Sequence, residues 1–199
     1  VLCSPRISNG QITEAFEHAF AAYLGRKYAV AVSSGTIGLL LALKALDIGL
    51  GQEVIASPYS FRETAHTISL AGARTVFADT DYWSGALVPA KAEECITAKT
   101  RAIVAGNPNG HPAPWSELRA IGQRHQLLLL KDSTEAVGSS YKGELVGRLG
   151  DLAVFDFAQP AALTCGEGAM VVTDDVDIAV GLRRHRLHRL DERSSFCRR

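Results

Sequence analysis

The stretch YAVAVSSGTIGLLLALKALDIG, Tyr28 to Gly49, decides the fold. YAVAVSS reads as a strand, and GTIGLLLALKALDIG as a buried helix closing at Gly49. A strand that is apolar on both faces and runs straight into a helix belongs in a parallel sheet with helices on each side. The turn between them, SSGTIG, lacks the G-x-G-x-x-G pattern, so a nicotinamide-type dinucleotide fold is excluded. Gly49 and Gly51 follow the helix and read as its C-terminal cap rather than as a phosphate loop.

Outward from this unit the rhythm repeats. EVIASP is a second strand, ETAHTISLAG a helix ending at Gly72, RTVFADT a third strand, and PAKAEECIT a helix opening at Pro89. RAIVAGN, PWSELRAIGQRH and LLLLKDS give strand, helix and strand again. SSYKGELVGRLGD then reads as a short hairpin, followed by the strands AVFDFA and AMVVTDD and a helix from about Val176. The expectation is one α/β domain over residues 1–199, a three-layer sandwich around a mostly parallel sheet. Such sheets place ligands beyond the carboxyl ends of their strands. Here those ends carry Ser33, Ser34 and Gly35, then Asn107, then Asp132 and Glu135.

The 199 residues carry 21 basic and 21 acidic side chains, 47% hydrophobic content and no apolar run of membrane-spanning length, which speaks against nucleic-acid and membrane partners. Cys3, Cys95, Cys165 and Cys197 are scattered without metal-ligand spacing, so no metal site is expected, and reduced thiols in a cytoplasm are. Residues 183–199 hold seven arginines against Asp191 and Glu192 and read as a solvated basic helix and tail. His185 and His188 would suit a metal only with further ligands.

Taken in order, FEHAFAAYLGRKYAVAVSSGTIGLLLALKALDIGLGQEVIASPYSF, KDSTEAVGSSYKGELVGRLGD and FDFAQPAALTCGEGAMVVTDD resemble blocks of the DegT/DnrJ-type sugar aminotransferases, fold-type I pyridoxal phosphate enzymes. The resemblance runs from about Phe16 to about Leu187. It implies the large domain of such an enzyme, a dimer, and relatives acting largely on nucleotide-linked keto sugars in cell-envelope or antibiotic biosynthesis. It further implies that Gly35, Thr36 and Ile37 cradle the cofactor phosphate at a helix N-terminus. By the same resemblance Asp132 pairs with the pyridine nitrogen, Phe61 packs near the ring, and Asn107 faces the pocket.

Against that family the chain departs in particular places. The family's Schiff-base lysine falls on Ala161, which can neither form an imine nor carry a proton. Lys131 adjoins Asp132 on a strand and points to the opposite face, so it cannot substitute. The family's phosphate-binding serine is Asp156; a carboxylate roughly 4 Å from a phosphate charge costs about 4 kcal/mol per charge pair at a typical effective dielectric. Ala169 replaces the last glycine of the family's G-E-G-G, and no counterpart of the family's smaller C-terminal domain follows within these residues.

These departures suggest a lysine-free relative that no longer transaminates and takes a small-molecule substrate without cofactor. Asp132, Glu135 and Asp156 would be its acid/base groups, for isomerisation, dehydration or cyclisation. Pyridoxal or pyridoxamine phosphate would bind only if Asp156 turned away. A non-catalytic pseudo-enzyme subunit that stabilises or regulates an active aminotransferase through the family's dimer surface is the alternative from another class; the chain is expected as a homodimer, or as a heterodimer with a related aminotransferase. A pyridoxamine-phosphate dehydratase lacks a base at Ala161, and an engineered lysine replacement would leave Asp156 and Ala169 unexplained.

Overall fold

A computed structural model describes residues 10–134, 136–158 and 162–186 of the chain. It opens with helix α1 (Gln11–Leu24), strand β1 (Tyr28–Val32), helix α2 (Gly35–Ala45), strand β2 (Glu53–Ala56), helix α3 (Arg62–Ala71) and strand β3 (Arg74–Phe77). Helix α4 (Pro89–Glu94), strand β4 (Thr100–Gly106), helix α5 (Trp115–His125) and strand β5 (Leu128–Asp132) continue the alternation. A small hairpin, β6 (Ser140–Tyr141) and β7 (Glu144–Leu145), precedes β8 (Leu152–Asp156), β9 (Ala169–Thr173) and helix α6 (Val176–Arg186).

A seven-stranded sheet in the order β1-β9-β8-β5-β4-β2-β3 organises the molecule. β3, β2, β4, β5 and β8 are mutually parallel, and β9 runs antiparallel between β8 and β1. The sheet is therefore mostly parallel, as its uniformly apolar strands require. Alternation along each strand sorts the core onto two faces. Leu130 and Val154 join Leu39, Leu43, Ile68 and Leu182 beneath α2, α3 and α6. Leu129 packs with Trp115 and Leu118, and Phe155 with Phe20 and Leu24, on the opposite side.

Two local expectations change, and one helix joins the elements read from the sequence. Helix α2 stops at Leu46, not Gly49: the left-handed residue is Asp47, with φ 52°, and the Ile48 amide bonds the Leu43 carbonyl. A short polar side chain tolerates that conformation, so no glycine is needed there. Helix α1 is a full element with the apolar spacing Phe20, Ala21, Leu24 and a left-handed Gly25 cap. The basic end of α6 is not simply solvated. Arg186 donates to the Glu17 carboxylate and to the Ala31 carbonyl, the latter at 2.9 Å, and Arg183 donates to the Ala29 carbonyl at 3.4 Å. Residues 187–199, with His188, lie outside the described residues.

Candidate functional site

The parallel strands all end on one side, and the groups they carry converge there. β1 leads through Ser34 into α2; the Ser34 hydroxyl caps that helix, accepting from the Ile37 amide at 3.3 Å. β4 ends at Asn107, β5 at Asp132, and β8 at Asp156. A cavity of about 620 Å³ opens between these ends, lined among others by Thr36, Phe61, Thr64, Asp132, Val154 and Asp156. A smaller adjoining pocket lies toward Tyr59 and Asn107 and shares Phe61, Asn109, Asp132 and Thr134 with it.

Asp156 defines the cavity floor. Its Oδ2 accepts from the Gly35 amide at 2.7 Å and its Oδ1 from the Ala158 amide at 2.7 Å. The carboxylate thus sits on the exposed N–H end of α2, where the helix dipole favours negative charge. Gly35 is what allows the approach, because a Cβ there would lie 2.7 Å from Asp156 Oδ2. Asp156 has not turned outward; it faces the helix terminus.

Asp132 is held by groups that spacing did not single out. The Thr64 hydroxyl of α3 donates to Asp132 Oδ2 at 3.4 Å, while the Thr134 amide, at 3.2 Å, and the Thr134 hydroxyl donate to Oδ1. Thr134 lies two residues beyond Asp132, an Asx-type turn visible in principle in KDST. Thr64 required the tertiary fold. Lys131, as its strand position demands, faces away from the cavity, fully buried with its amine 4.3 Å from the Trp115 ring centroid and donating to the Val146 carbonyl. Burial, with Arg26 nearby, pulls that amine down to about 6.

Asn107 is buried and committed to the scaffold. Its Nδ2 donates to the Asp132 carbonyl at 3.1 Å, and its Oδ1 accepts from the Ala113 amide and the Trp115 indole N–H, each at 3.3 Å. It fixes the backbone of Asp132 from below. Phe61 is 56% exposed at the cavity mouth, and Thr36 lines the wall beside Gly35. Ile37 spends its amide on Ser34 and is not among the lining residues. Glu135 and Ala161 lie outside the described residues. Among the described residues no group of three or more His, Cys, Asp or Glu could hold a metal ion, and no helix is long and apolar enough to cross a membrane.

Fold and site together define an α/β sheet domain of the kind found as the large domain of fold-type I aminotransferases, with a pocket at the strand ends and an anion-favouring helix terminus at its base. A profile of the DegT/DnrJ/EryC1/StrS aminotransferase family matches residues 1–197, and the chain belongs to that family. It is 42% identical over 182 residues to the spore coat polysaccharide biosynthesis protein SpsC of Bacillus subtilis (strain 168), covering 92% of this chain and 47% of that protein. Among solved structures it resembles S. venezuelae DesV in complex with a ketimine intermediate, with TM-score 0.88 and 38% identity over 92% of this chain and 49% of that one. It also resembles NtdA of Bacillus subtilis with bound cofactor PMP, with TM-score 0.83 and 27% identity over 87% of this chain and 39% of that one. The chain spans about half the length of SpsC and of DesV, and 39% of NtdA.

Proposed function

We propose that this chain is a member of the sugar aminotransferase family that does not transaminate, and that its strand-end pocket takes a small-molecule substrate without a B6 cofactor. One observation carries the reading: the 2.7 Å hydrogen bond between Asp156 Oδ2 and the Gly35 amide. A cofactor phosphate placed on α2 would need that amide and would meet a carboxylate in place of a donor, a repulsion of several kcal/mol at close range. The ring end of the pocket is more accommodating. Asp132 is oriented by Thr64 and Thr134 as a partner for a protonated ring nitrogen, and Phe61 stands at the mouth. The phosphate end does not fit, and the sequence has Ala161 where the family's imine-forming lysine falls.

The same geometry divides the expected acid/base groups. Asp156 is spent on two backbone amides and serves as an internal anion for α2. Asp132, presented to the cavity by two hydroxyls, is the described carboxylate placed to exchange a proton with a ligand. Titration of the purified protein with pyridoxal phosphate and pyridoxamine phosphate, followed by absorbance and thermal denaturation, tests the reading. The wild-type protein is expected to show neither a spectral shift nor protection. Asp156→Ser, which restores a hydroxyl donor and removes the charge, is expected to gain affinity for pyridoxamine phosphate by about a hundredfold or more. A wild-type imine absorbance band, or tight binding unchanged by Asp156→Ser, would overturn it.

A further inference from the structure

Strand β1 ends the sheet: among the described residues β9 pairs with it on one side and no strand pairs with it on the other. Its segment YAVAV carries no charge and no proline, the kind of edge that invites pairing with another chain. In an antiparallel ladder alternate residues turn both polar groups toward the same neighbour. Ala29 and Ala31, two apart, turn theirs away from β9, and side chains rather than a strand meet them there. The Ala31 amide donates to Glu17 Oε1 at 2.8 Å, the Arg186 guanidinium donates to the Ala31 carbonyl at 2.9 Å, and that of Arg183 donates to the Ala29 carbonyl at 3.4 Å.

The three side chains arrive from opposite faces of the sheet. Glu17 stands on α1, whose Phe20, Ala21 and Leu24 pack on one face with Ala29. Arg183 and Arg186 stand on α6, whose Ile178 and Leu182 pack on the other face with Val30 and Val32. They close over the strand, because Arg186 also donates to Glu17 Oε1. The Glu17 and Arg186 side chains are 8% and 15% exposed, so their pair is not a screened surface contact. Apolar side chains of the same size often serve stability as well as a buried ion pair does, so stability alone does not account for charges in this place. What the charges add is occupancy of the edge: an acceptor and donors stand where a neighbouring strand would present its own.

We propose that Glu17, Arg183 and Arg186 form a strand-mimicking latch that keeps β1 closed, and that the partner it excludes is the β1 of a second copy of this chain. The edge is complementary to itself. About a twofold axis through Val30, Ala29 of one copy faces Ala31 of the other, and the outward N–H and C=O groups of each meet their counterparts. The side chains at those positions are methyl groups, which crowd nothing across the pair, and YAVAV has no charge to oppose its own approach. The latch therefore acts against growth of the sheet from one molecule into the next, and does so whichever ligand the strand-end cavity takes.

Sedimentation velocity of the whole chain over a concentration series tests this, with amide hydrogen exchange as a second readout. Glu17→Ala, and separately the double variant Arg183→Met with Arg186→Met, are expected to populate a species of twice the wild-type mass that grows with concentration. In dilute Glu17→Ala protein the Ala31 amide should exchange at least about tenfold faster than in the wild type, while amides of β4 and β5 do not change. Glu17→Gln keeps an acceptor for the Ala31 amide and should stay at the wild-type mass. Adding Ala31→Pro to either latch variant removes the outward N–H at an edge position where proline is tolerated, and should return the mass to that of the wild type. Folded latch variants that keep the wild-type mass overturn the inference, as does association that survives Ala31→Pro. Loss of folding in both latch variants, read by thermal denaturation, would make the contact a scaffold element and overturn it as well.

Discussion

At the scale of single residues, Asp156 and Gly35 form a matched pair whose energetics can be separated. Gly35→Ala places a methyl group 2.7 Å from Asp156 Oδ2, so the variant is expected to lose about 1–3 kcal/mol in denaturant unfolding. In an Asp156→Ala background the clash is gone, and the same substitution should be neutral or stabilising, since alanine is the better helix former by about 1 kcal/mol. A double-mutant cycle reads this sign change directly. Equal effects in both backgrounds would mean that the carboxylate does not occupy the helix terminus. Asp132 and Asp156 were legible in the sequence as strand-end acids, but the company they keep was not. Thr64 and Thr67 lie in ETAHTISLAG, where their period reads only as part of a helix face, and that the face turns toward a cavity is decided by how α3 packs on the sheet.

At the scale of elements, the turn after the β6–β7 hairpin closes on its own backbone through the Leu149 amide and the Val146 carbonyl at 3.3 Å, and a buried cation ties it to the rest of the fold. Arg26, buried just after α1, donates to the carbonyls of Gly147 at 2.8 Å and Gly150 at 2.7 Å and pairs with Asp174 at 2.7 Å. At Asp174 burial opposes ionisation, and the Lys27 amide and the Arg26 guanidinium overcome it, leaving the carboxyl below its ordinary range. Arg26→Met removes donors from buried carbonyls and is expected to cost about 2–4 kcal/mol, with amide hydrogen exchange over residues 146–150 accelerating more than exchange in β4 or β5. Uniform acceleration would show that Arg26 supports the whole fold and not this turn. The strand and helix alternation was readable because each element carries its own period. Two features were not. FEHAFAAYL has helical spacing at Phe16, Phe20 and Leu24 that went unassigned, and the antiparallel course of β9 leaves no mark in AMVVT, which is apolar on both faces whichever way it runs.

At the scale of the whole molecule, Lys131 gives stability a defined pH dependence. The amine takes up its proton near pH 6 in the fold and near its ordinary value of 10.5 in the unfolded chain. Between those values the unfolded chain binds more protons, so stability should rise with pH above about 6 and flatten below it, as read by denaturation midpoints from pH 5 to 9. Lys131→Met should remove the slope and stabilise the protein at pH 6 to 7, because an apolar chain of similar volume suits a fully buried position beside Trp115. A slope unchanged in Lys131→Met would mean that the amine is charged in the fold. The sheet order carries a consequence for biosynthesis. Among the described residues β1, spanning residues 28–32, has β9, residues 169–173, as its sole neighbour in the sheet. As the nascent chain leaves the ribosome, Val30 and Val32 therefore wait for some 140 further residues before their strand can dock, and the wall that carries α2 is assembled last. Throughout that interval the apolar N-terminal segment is a natural client for a chaperone, and translation halted before Thr173 would release a chain with this edge unzipped.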